Sequence, residues 1–457
     1  MPTTQDITVA LDPLLIAASR AIERQSFNGV VIDSRQVQPG DLFIALPGEH
    51  RHGHEFIADA VSHGATGVIA QRQPPDLPRE VSFFQVDDTL AALQRLATYW
   101  RGKHRVKVVG ITGSVGKTTC KELTAAVLSS GYQVLKSEAN LNTEIGLPLT
   151  LLQLRPEHDR VVLEMGMYGL GEIRLLCQIA RPQMGVVTNV GPIHLERLGT
   201  LEAIAQAKAE LVESLPSDGW AILNADDPQV AAMAERTSAR VALFGESPQC
   251  SVRGTVLSTS GLEGISFRLT CDDQSADVSA PLPGRHNLYN ALAAAAVGLA
   301  DGLSVQEVAA AVAAADVPLR LRAVSGPQGS TILDDTYNAS PTSMLAALDL
   351  LAELPGRRLA LLGDMLELGN FEEEGHRLVG DRAARTTNVL YTLGERGRII
   401  GEAAQAAGHQ DVRFLVSKEK AALAIRQTLS EGDHLLVKAS RVMALETVIE
   451  ELTSCHG

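Results

Sequence analysis

The stretch Gly110-Ile-Thr-Gly-Ser-Val-Gly-Lys-Thr-Thr119 constrains this chain more than any other. An apolar run, Val106 to Ile111, leads into it, and a helix-forming run, Lys117 to Ser130, leads out. Strand, glycine loop, helix is the context of a phosphate-binding loop. Glycines let the backbone curl so that consecutive N–H groups point at one anion, and the helix N-terminus adds partial positive charge. Thr112, Gly113, Ser114, Val115 and Gly116 would form the cradle. Lys117 would reach the β- and γ-phosphates, and Thr118 would offer its hydroxyl to Mg2+. The general pattern has Gly five residues before Gly116, where this chain has Ile111. A plain glycine turn is the bland alternative, weakened by three glycines followed by Lys-Thr-Thr. ATP or GTP is therefore the expected ligand.

A chain of 457 residues predicts two or three domains. The net charge of −14 argues against nucleic acid as the main partner. No apolar stretch reaches the ~18–20 residues needed to cross a bilayer, and the N-terminus lacks a signal-peptide layout. Five cysteines without a CxxC pair fit reduced thiols and a cytoplasmic location. Cys120 reads as a small packing residue.

The fold class expected is α/β with three domains. Residues 1–84 form a small α/β N-terminal domain, with the Pro-rich stretch 73–78 near its boundary. Residues 85–315 form a central P-loop-type domain, a mostly parallel sheet with helices on both faces. Its strands are predicted at Val106–Ile111, Val161–Met165, Gly185–Val190 and Ala221–Leu223, followed by a small antiparallel addition from 240 to 283. Residues 316–457 form an α/β C-terminal domain with strands at Thr331–Leu333, Leu359–Leu362, Val389–Leu393 and His434–Val437. Alternating apolar runs and helical patterns carry this reading. Ligands on such sheets bind beyond the carboxyl ends of the strands.

Candidate residues cluster at those ends. Glu164 could hold Mg2+ near the phosphates, or be a surface charge. His194 is a weak metal ligand on chemistry alone, because Mg2+ prefers oxygen. Lys208 sits on a clear helix, where residues alone predict a solvated face. Asn287 and Asn290 would share one helix face, suiting a base edge or a helix cap. Asp334 and Asp335 could accept from ribose hydroxyls or simply form a turn. Lys438 and Arg441 could bind a carboxylate or phosphate, or open a basic helix. His50, His52 and His54 could form a metal site, an anion-binding loop or a solvated loop.

In this order the pieces resemble the Mur ligase family. The resemblance rests on Asp33-Ser34-Arg35 with Pro39–Phe43, on Thr112–Thr118, on Asn140-Leu-Asn-Thr-Glu-Ile-Gly-Leu-Pro148, and on Gly284-Arg-His-Asn287. It continues through Asp334–Ala339, Gly363-Asp-Met-Leu-Glu-Leu-Gly369 and Lys438–Arg441. Asn140–Pro148 and Gly363–Gly369 point to the branch that joins D-alanyl-D-alanine to a UDP-N-acetylmuramoyl-tripeptide. The resemblance implies ATP and Mg2+ as cofactors, an acyl phosphate and a tetrahedral intermediate. It implies that Lys117 and Thr118 serve ATP and Mg2+, and that Glu164 and His194 ligate Mg2+. It makes Lys208 a carbamylated lysine, whose carboxylate-like oxygens would suit the metal. Asn287, Asn290, Arg320 and Asp335 become nucleotide contacts. Ser34 and Arg35 become contacts to the uridine nucleotide, and Asn142, Asn338, Lys438 and Arg441 contacts to substrate or intermediate. Tyr168 and Gly169 stand where the family often has Asn and His, so roles of those side chains do not carry over. A monomer is expected. The rival readings are a P-loop kinase, a nucleotide switch, or another amide ligase of the superfamily such as a folylpolyglutamate synthetase.

Overall fold

The apolar runs become three sheets in this computed structural model, which describes residues 1–19, 24–48 and 51–454. The first contains β1 (Leu15–Ser19), β2 (Val30–Val31), β3 (Leu42–Ile44), β4 (Gly67–Ala70) and β5 (Ser82–Val86), ordered β1-β5-β4-β3-β2. Strands β2 to β5 run parallel, and β1 closes one edge antiparallel. β3 and β4 are buried throughout, the signature of a parallel sheet covered on both faces.

The expected end of this unit at residue 84 cuts through β5. Phe83 and Phe84 are both buried and belong to different apolar clusters, so the strand serves the two faces of its sheet. The Pro-rich stretch is a loop between β4 and β5, not a domain junction. Its prolines interrupt the chain, but Gly67 pairs with Ser82 beyond it and the sheet resumes. The helix Thr89–Gly102 then starts on an Asp88 cap, whose carboxylate accepts from the backbone N–H groups of Leu90 and Ala91. Its Leu93, Leu96 and Trp100 share one apolar cluster with Ile44 and Phe84 of the first sheet and Val108 and Val161 of the second.

The second sheet has nine strands: β6 (Lys107–Thr112), β7 (Val134–Lys136), β8 (Arg160–Glu164), β9 (Met184–Val187), β10 (Trp220–Asn224), β11 (Arg240–Gly245), β12 (Val252–Thr259), β13 (Ile265–Cys271) and β14 (Gln274–Ala280). The order is β14-β13-β12-β11-β10-β9-β6-β8-β7, parallel from β7 to β12. The antiparallel addition expected from residue 240 is therefore shorter. β11 extends the parallel sheet, and only β12 to β14 pair antiparallel. The alternation in β11 comes from one covered face: Ala242 and Phe244 pack with Leu288 and Leu292 of the helix Asn287–Ala300. β6 lies between β8 and β9, so the glycine loop leaves the sheet beside the ends of both.

The third sheet contains β15 (Arg322–Ser325), β16 (Thr331–Asp334), β17 (Arg358–Leu362), β18 (Val389–Leu393), β19 (Val412–Leu415) and β20 (His434–Lys438), ordered β15-β16-β20-β17-β18-β19. All pairings are parallel except β15 with β16. Sequence reading misses β15 and β19 because these edge strands are largely uncovered and carry little apolar signal. Residues 314–321 carry no helix or strand between the second and third units. No described helix is long and apolar enough to cross a membrane.

Candidate active site

The carboxyl ends of β6, β8 and β9 meet the third sheet across a cleft of about 400 Å³. The central wall carries Ser114 to Thr119, Asn142, Glu164, His194, Asn287 and Asn290. The facing wall carries Arg320, Asp335, Tyr337, Asn338, Lys438 and Arg441. Thr112 and Lys208 are buried and, like Gly113, do not line the cleft. Ser34 and Arg35 stand apart, in the turn after β2 of the first sheet.

The glycine loop is shaped by its neighbours. Gly116 has φ +85°, and a Cβ there would lie 2.5 Å from Asn290 Oδ1, so only glycine fits. The loop is clamped by the end of β9: Asn189 Oδ1 accepts from Val115 N–H at 2.8 Å, and Asn189 Nδ2 and Thr188 Oγ1 both donate to the Val115 carbonyl. Ser114 Oγ accepts from Gly191 N–H at 2.8 Å. A backbone cradle opening onto a helix N-terminus, with no room for side chains, fits a phosphate chain. The residue Thr188-Asn189 pair was visible in the sequence as a strand end, but nothing in its type disclosed a clamp.

Lys117 Nζ donates to the carbonyls of Gly113 and Ser114 at 2.8 and 3.4 Å, lying along the loop. Desolvation lowers its pKa, Arg320 adds to that, and Glu164 opposes it. Cys120 packs one turn later, its thiol pushed up by burial to about 12, which agrees with a packing role.

Glu164 ends β8 and is buried, not a surface charge. Its two oxygens accept from Thr118 Oγ1 at 2.8 Å and Asn142 Nδ2 at 2.9 Å. Arg320, from the facing side, donates to Thr118 Oγ1 at 2.8 Å. The donor set of Thr118 and Glu164 is hard oxygen, which fits Mg2+. Among the described residues no group of three His, Cys, Asp or Glu could hold a metal. One carboxylate and one hydroxyl suit an ion that takes its remaining ligands from phosphates and water.

Lys208 corrects the reading taken from its helix. It is 1 % exposed, and no carboxylate lies within ion-pair distance of it among the described residues. Burial drives its pKa well below 10.5, and the charge of Lys117 pushes the same way. His194 feels both lysines, and burial lowers its pKa while Glu367 opposes the shift.

Asn287 and Asn290 do share a face: Asn290 Nδ2 donates to Asn287 Oδ1 at 2.9 Å. Asp334 is the turn residue, accepting from Thr336 N–H and Oγ1, while Asp335 faces the cleft. Lys438 is a buried strand end rather than a helix entry. Its Nζ donates to Asp335 Oδ2 at 2.6 Å and to the Asn338 carbonyl at 2.9 Å. Burial pushes Asp335 up and Lys438 down, and their contact opposes both shifts. Tyr337, which sequence reading left without a role, carries Arg320 at 4.2 Å and Arg441 at 5.3 Å from its ring centre.

The three-histidine stretch gives no metal cluster among the described residues. His50 lies outside them. His52 meets Gln71 at 3.1 Å, and His54 accepts from Arg72 Nε at 3.2 Å.

Residues 26–101 match the family described as Mur ligase family, catalytic domain. Residues 111–298 match the Mur ligase middle domain, and residues 319–441 match the Mur ligase, glutamate ligase domain. A UDP-N-acetylmuramoyl-tripeptide–D-alanyl-D-alanine ligase of Synechocystis is 40% identical over 454 residues, covering 98% of this chain and 96% of the relative. A crystal structure of MurF from Acinetobacter baumannii superposes with TM-score 0.88 at 30% identity, covering 99% of this chain and 98% of the other. The MurF ligase of Thermotoga maritima in complex with ADP gives 0.81 at 30% identity, with 93% and 96% covered. With three consecutive domain matches and relatives spanning nearly its whole length, the chain belongs to the Mur ligase family.

Proposed function

We propose that this chain joins D-alanyl-D-alanine to UDP-N-acetylmuramoyl-tripeptide at the expense of ATP, releasing ADP and phosphate, a step of cell-wall peptidoglycan synthesis. The observation that carries the reading is the cleft itself. A phosphate cradle on one wall faces Lys438, Arg441 and Asn338 on the other, and Arg320 bridges to Thr118. The full-length likeness to the D-alanyl-D-alanine-adding relatives selects the substrates.

A carboxylate at neutral pH is a poor electrophile, so it must first be activated. A tripeptide carboxylate oxygen attacks the γ-phosphorus and ADP leaves. The free amine of D-alanyl-D-alanine then attacks the acyl carbon of the acyl phosphate. The tetrahedral intermediate collapses with loss of phosphate and the amine proton. Holding the two reactants together is worth roughly 7–11 kcal/mol, and the facing walls supply that proximity.

Thr112 to Thr118 hold the phosphates, and Asn287, Asn290, Arg320 and Asp335 hold the rest of the nucleotide. Thr118, Glu164, His194 and a carbamylated Lys208 would hold Mg2+, which when bound screens phosphate charge. Lys208 suits carbamylation because its lowered pKa leaves the amine free to add to carbon dioxide with loss of one proton. The resulting anion would turn repulsion from Lys117 into attraction. Ser34 and Arg35 serve the uridine nucleotide. Asn142, Asn338, Lys438 and Arg441 contact the tripeptide, the dipeptide or the intermediate. Its need for ATP supports a cytoplasmic location.

ADP release that requires both the tripeptide nucleotide and D-alanyl-D-alanine is expected. Oxygen-18 in the tripeptide carboxylate should pass into inorganic phosphate. ATP turnover indifferent to the dipeptide would replace this reading with a kinase or a nucleotide switch.

A further inference from the structure

The segment Gly363–Gly369 is one of the two stretches that point to the family branch. In the structure it crosses from the third domain to the central wall. Glu367 Oε2 meets His194 Nδ1 in a short hydrogen bond, 173 residues apart in sequence. We propose that Glu367 is a positioning residue for the metal site. It holds the His194 ring from across the domain interface, so the site is complete only when the third domain is seated. This rests on the reading of Glu164 and His194 as Mg2+ ligands.

Four independent features converge on this contact. First, both residues adopt left-handed backbone, with φ 55° at His194 and 64° at Glu367, a conformation that non-glycine residues avoid. Each turn therefore aims its side chain at the other against local preference. Second, the backbones dock beside the side chains. Glu196 N–H donates to the Glu367 carbonyl at 3.3 Å, and a Cβ on Gly369 would lie 3.1 Å from Glu196 N. Third, the imidazole has an aromatic neighbour. The Tyr168 ring lies edge-on at 5.0 Å, itself covered by the Arg197 guanidinium at 5.0 Å. Tyr168 is one of the two residues that depart from the common family pattern, and here it packs against His194. Fourth, Glu367 is anchored to the substrate-facing wall: Ser440 Oγ accepts from Leu366 N–H, and Ser440 N–H donates to the Asp364 carbonyl, both at 2.9 Å. Ser440 lies between Lys438 and Arg441.

The chemistry of the contact fixes the ring. When Nδ1 carries the proton and donates it to Glu367, Nε2 keeps its lone pair for a metal. A carboxylate behind a histidine ligand raises its basicity and fixes its orientation, and losing such a partner typically costs ~10–100-fold in metal affinity.

The test is a Mn2+ titration of the full chain with ADP present, read by electron paramagnetic resonance, so that no turnover is needed. Glu367→Ala should weaken Mn2+ binding about tenfold. Glu367→Gln, whose amide oxygen can still accept from Nδ1–H, should recover most of it. Glu367→Gly removes the carboxylate but suits the left-handed backbone, so it should bind Mn2+ as weakly as the alanine variant while melting no lower than the parent. A merely structural role would lower the melting temperature without separating Gln from Ala. Parental Mn2+ affinity in both Glu367→Ala and Glu367→Gly, alongside weakened binding in Glu164→Gln, overturns the inference and leaves the metal reading standing. Parental affinity in Glu164→Gln overturns both.

Discussion

The two walls of the cleft treat buried ammonium groups in opposite ways. On the third-domain wall, Lys438 is 2 % exposed and has Asp335 at 2.6 Å. On the central side, Lys208 is 1 % exposed with no carboxylate in ion-pair reach among the described residues, and the charge of Lys117 acts on it repulsively. A buried cation without a partner is costly unless it gives up its charge. The paired lysine is a structural strut that also lines the cleft. The unpaired one is stripped of water with no counter-charge among the described residues, so burial and the charge of Lys117 both favour its neutral amine. Lys121 gives the control within the central domain. It is fully buried, yet Glu122 lies at 2.9 Å and the Ser137 carbonyl at 2.6 Å.

The largest effect expected on the central wall is from Lys117→Ala. It should lower ADP formation about 10³-fold while the melting temperature holds, because the hydrogen bonds of its Nζ among the described residues go to loop carbonyls. Undiminished turnover would remove the phosphate-loop assignment. Lys208→Met should cost about 10²-fold in activity. It should melt no lower than the parent, since it replaces an uncompensated buried amine by an apolar chain. Lys208→Ala should regain part of its activity with small carboxylates such as acetate. A clear fall in melting temperature for Lys208→Met would break the contrast between the walls.

Lys438→Met should do the reverse, destabilising the third domain by about 3 kcal/mol because Asp335 is left unpaired. Adding Asp335→Asn should return part of that loss in a denaturant titration. The pH response sharpens the same contrast. The pKa of Lys208 is lower folded than unfolded, so between that lowered value and 10.5 the unfolded chain binds more protons. The unmodified protein, kept free of carbon dioxide, should gain stability as pH rises through that window. Lys208→Met should lack that part of the slope. The smallest effect expected is from Asn189→Ala. It removes two hydrogen bonds to Val115 at about 1 kcal/mol in total, raising KM for ATP about fivefold with little change in kcat.

The phosphate loop was legible because its chemistry is local. Gly116 must lack a side chain and Lys117 must follow a helix start, and both constraints are written in adjacent residues. Glu164 was legible as a strand end for the same reason. Lys208 was not legible from its own helix, because nothing in Ile204–Glu210 says what packs over it; only family likeness suggested a role. The link from Glu367 to His194, and the contacts of Arg320 and Arg441 with the Tyr337 ring, join residues far apart in sequence, so no spacing could reveal them. The misplaced limit at residue 84 has the same origin. A run of prolines looks like a junction, whereas the pairing of Gly67 with Ser82 depends on the opposite side of the loop.

The place of β20 in its sheet bears on how the protein is made. It is the last strand of the third sheet in sequence, yet it lies between β16 and β17 and pairs with both. Until residues 434–438 have cleared the ribosome, β16 and β17 have no shared neighbour, and their facing edges stay unpaired. A synthesis stalled before that point yields a nucleotide-binding body trailing an open, sticky half-sheet. The nascent chain cannot acquire Lys438, the closed third sheet and the complete cleft separately, because one late strand delivers all three.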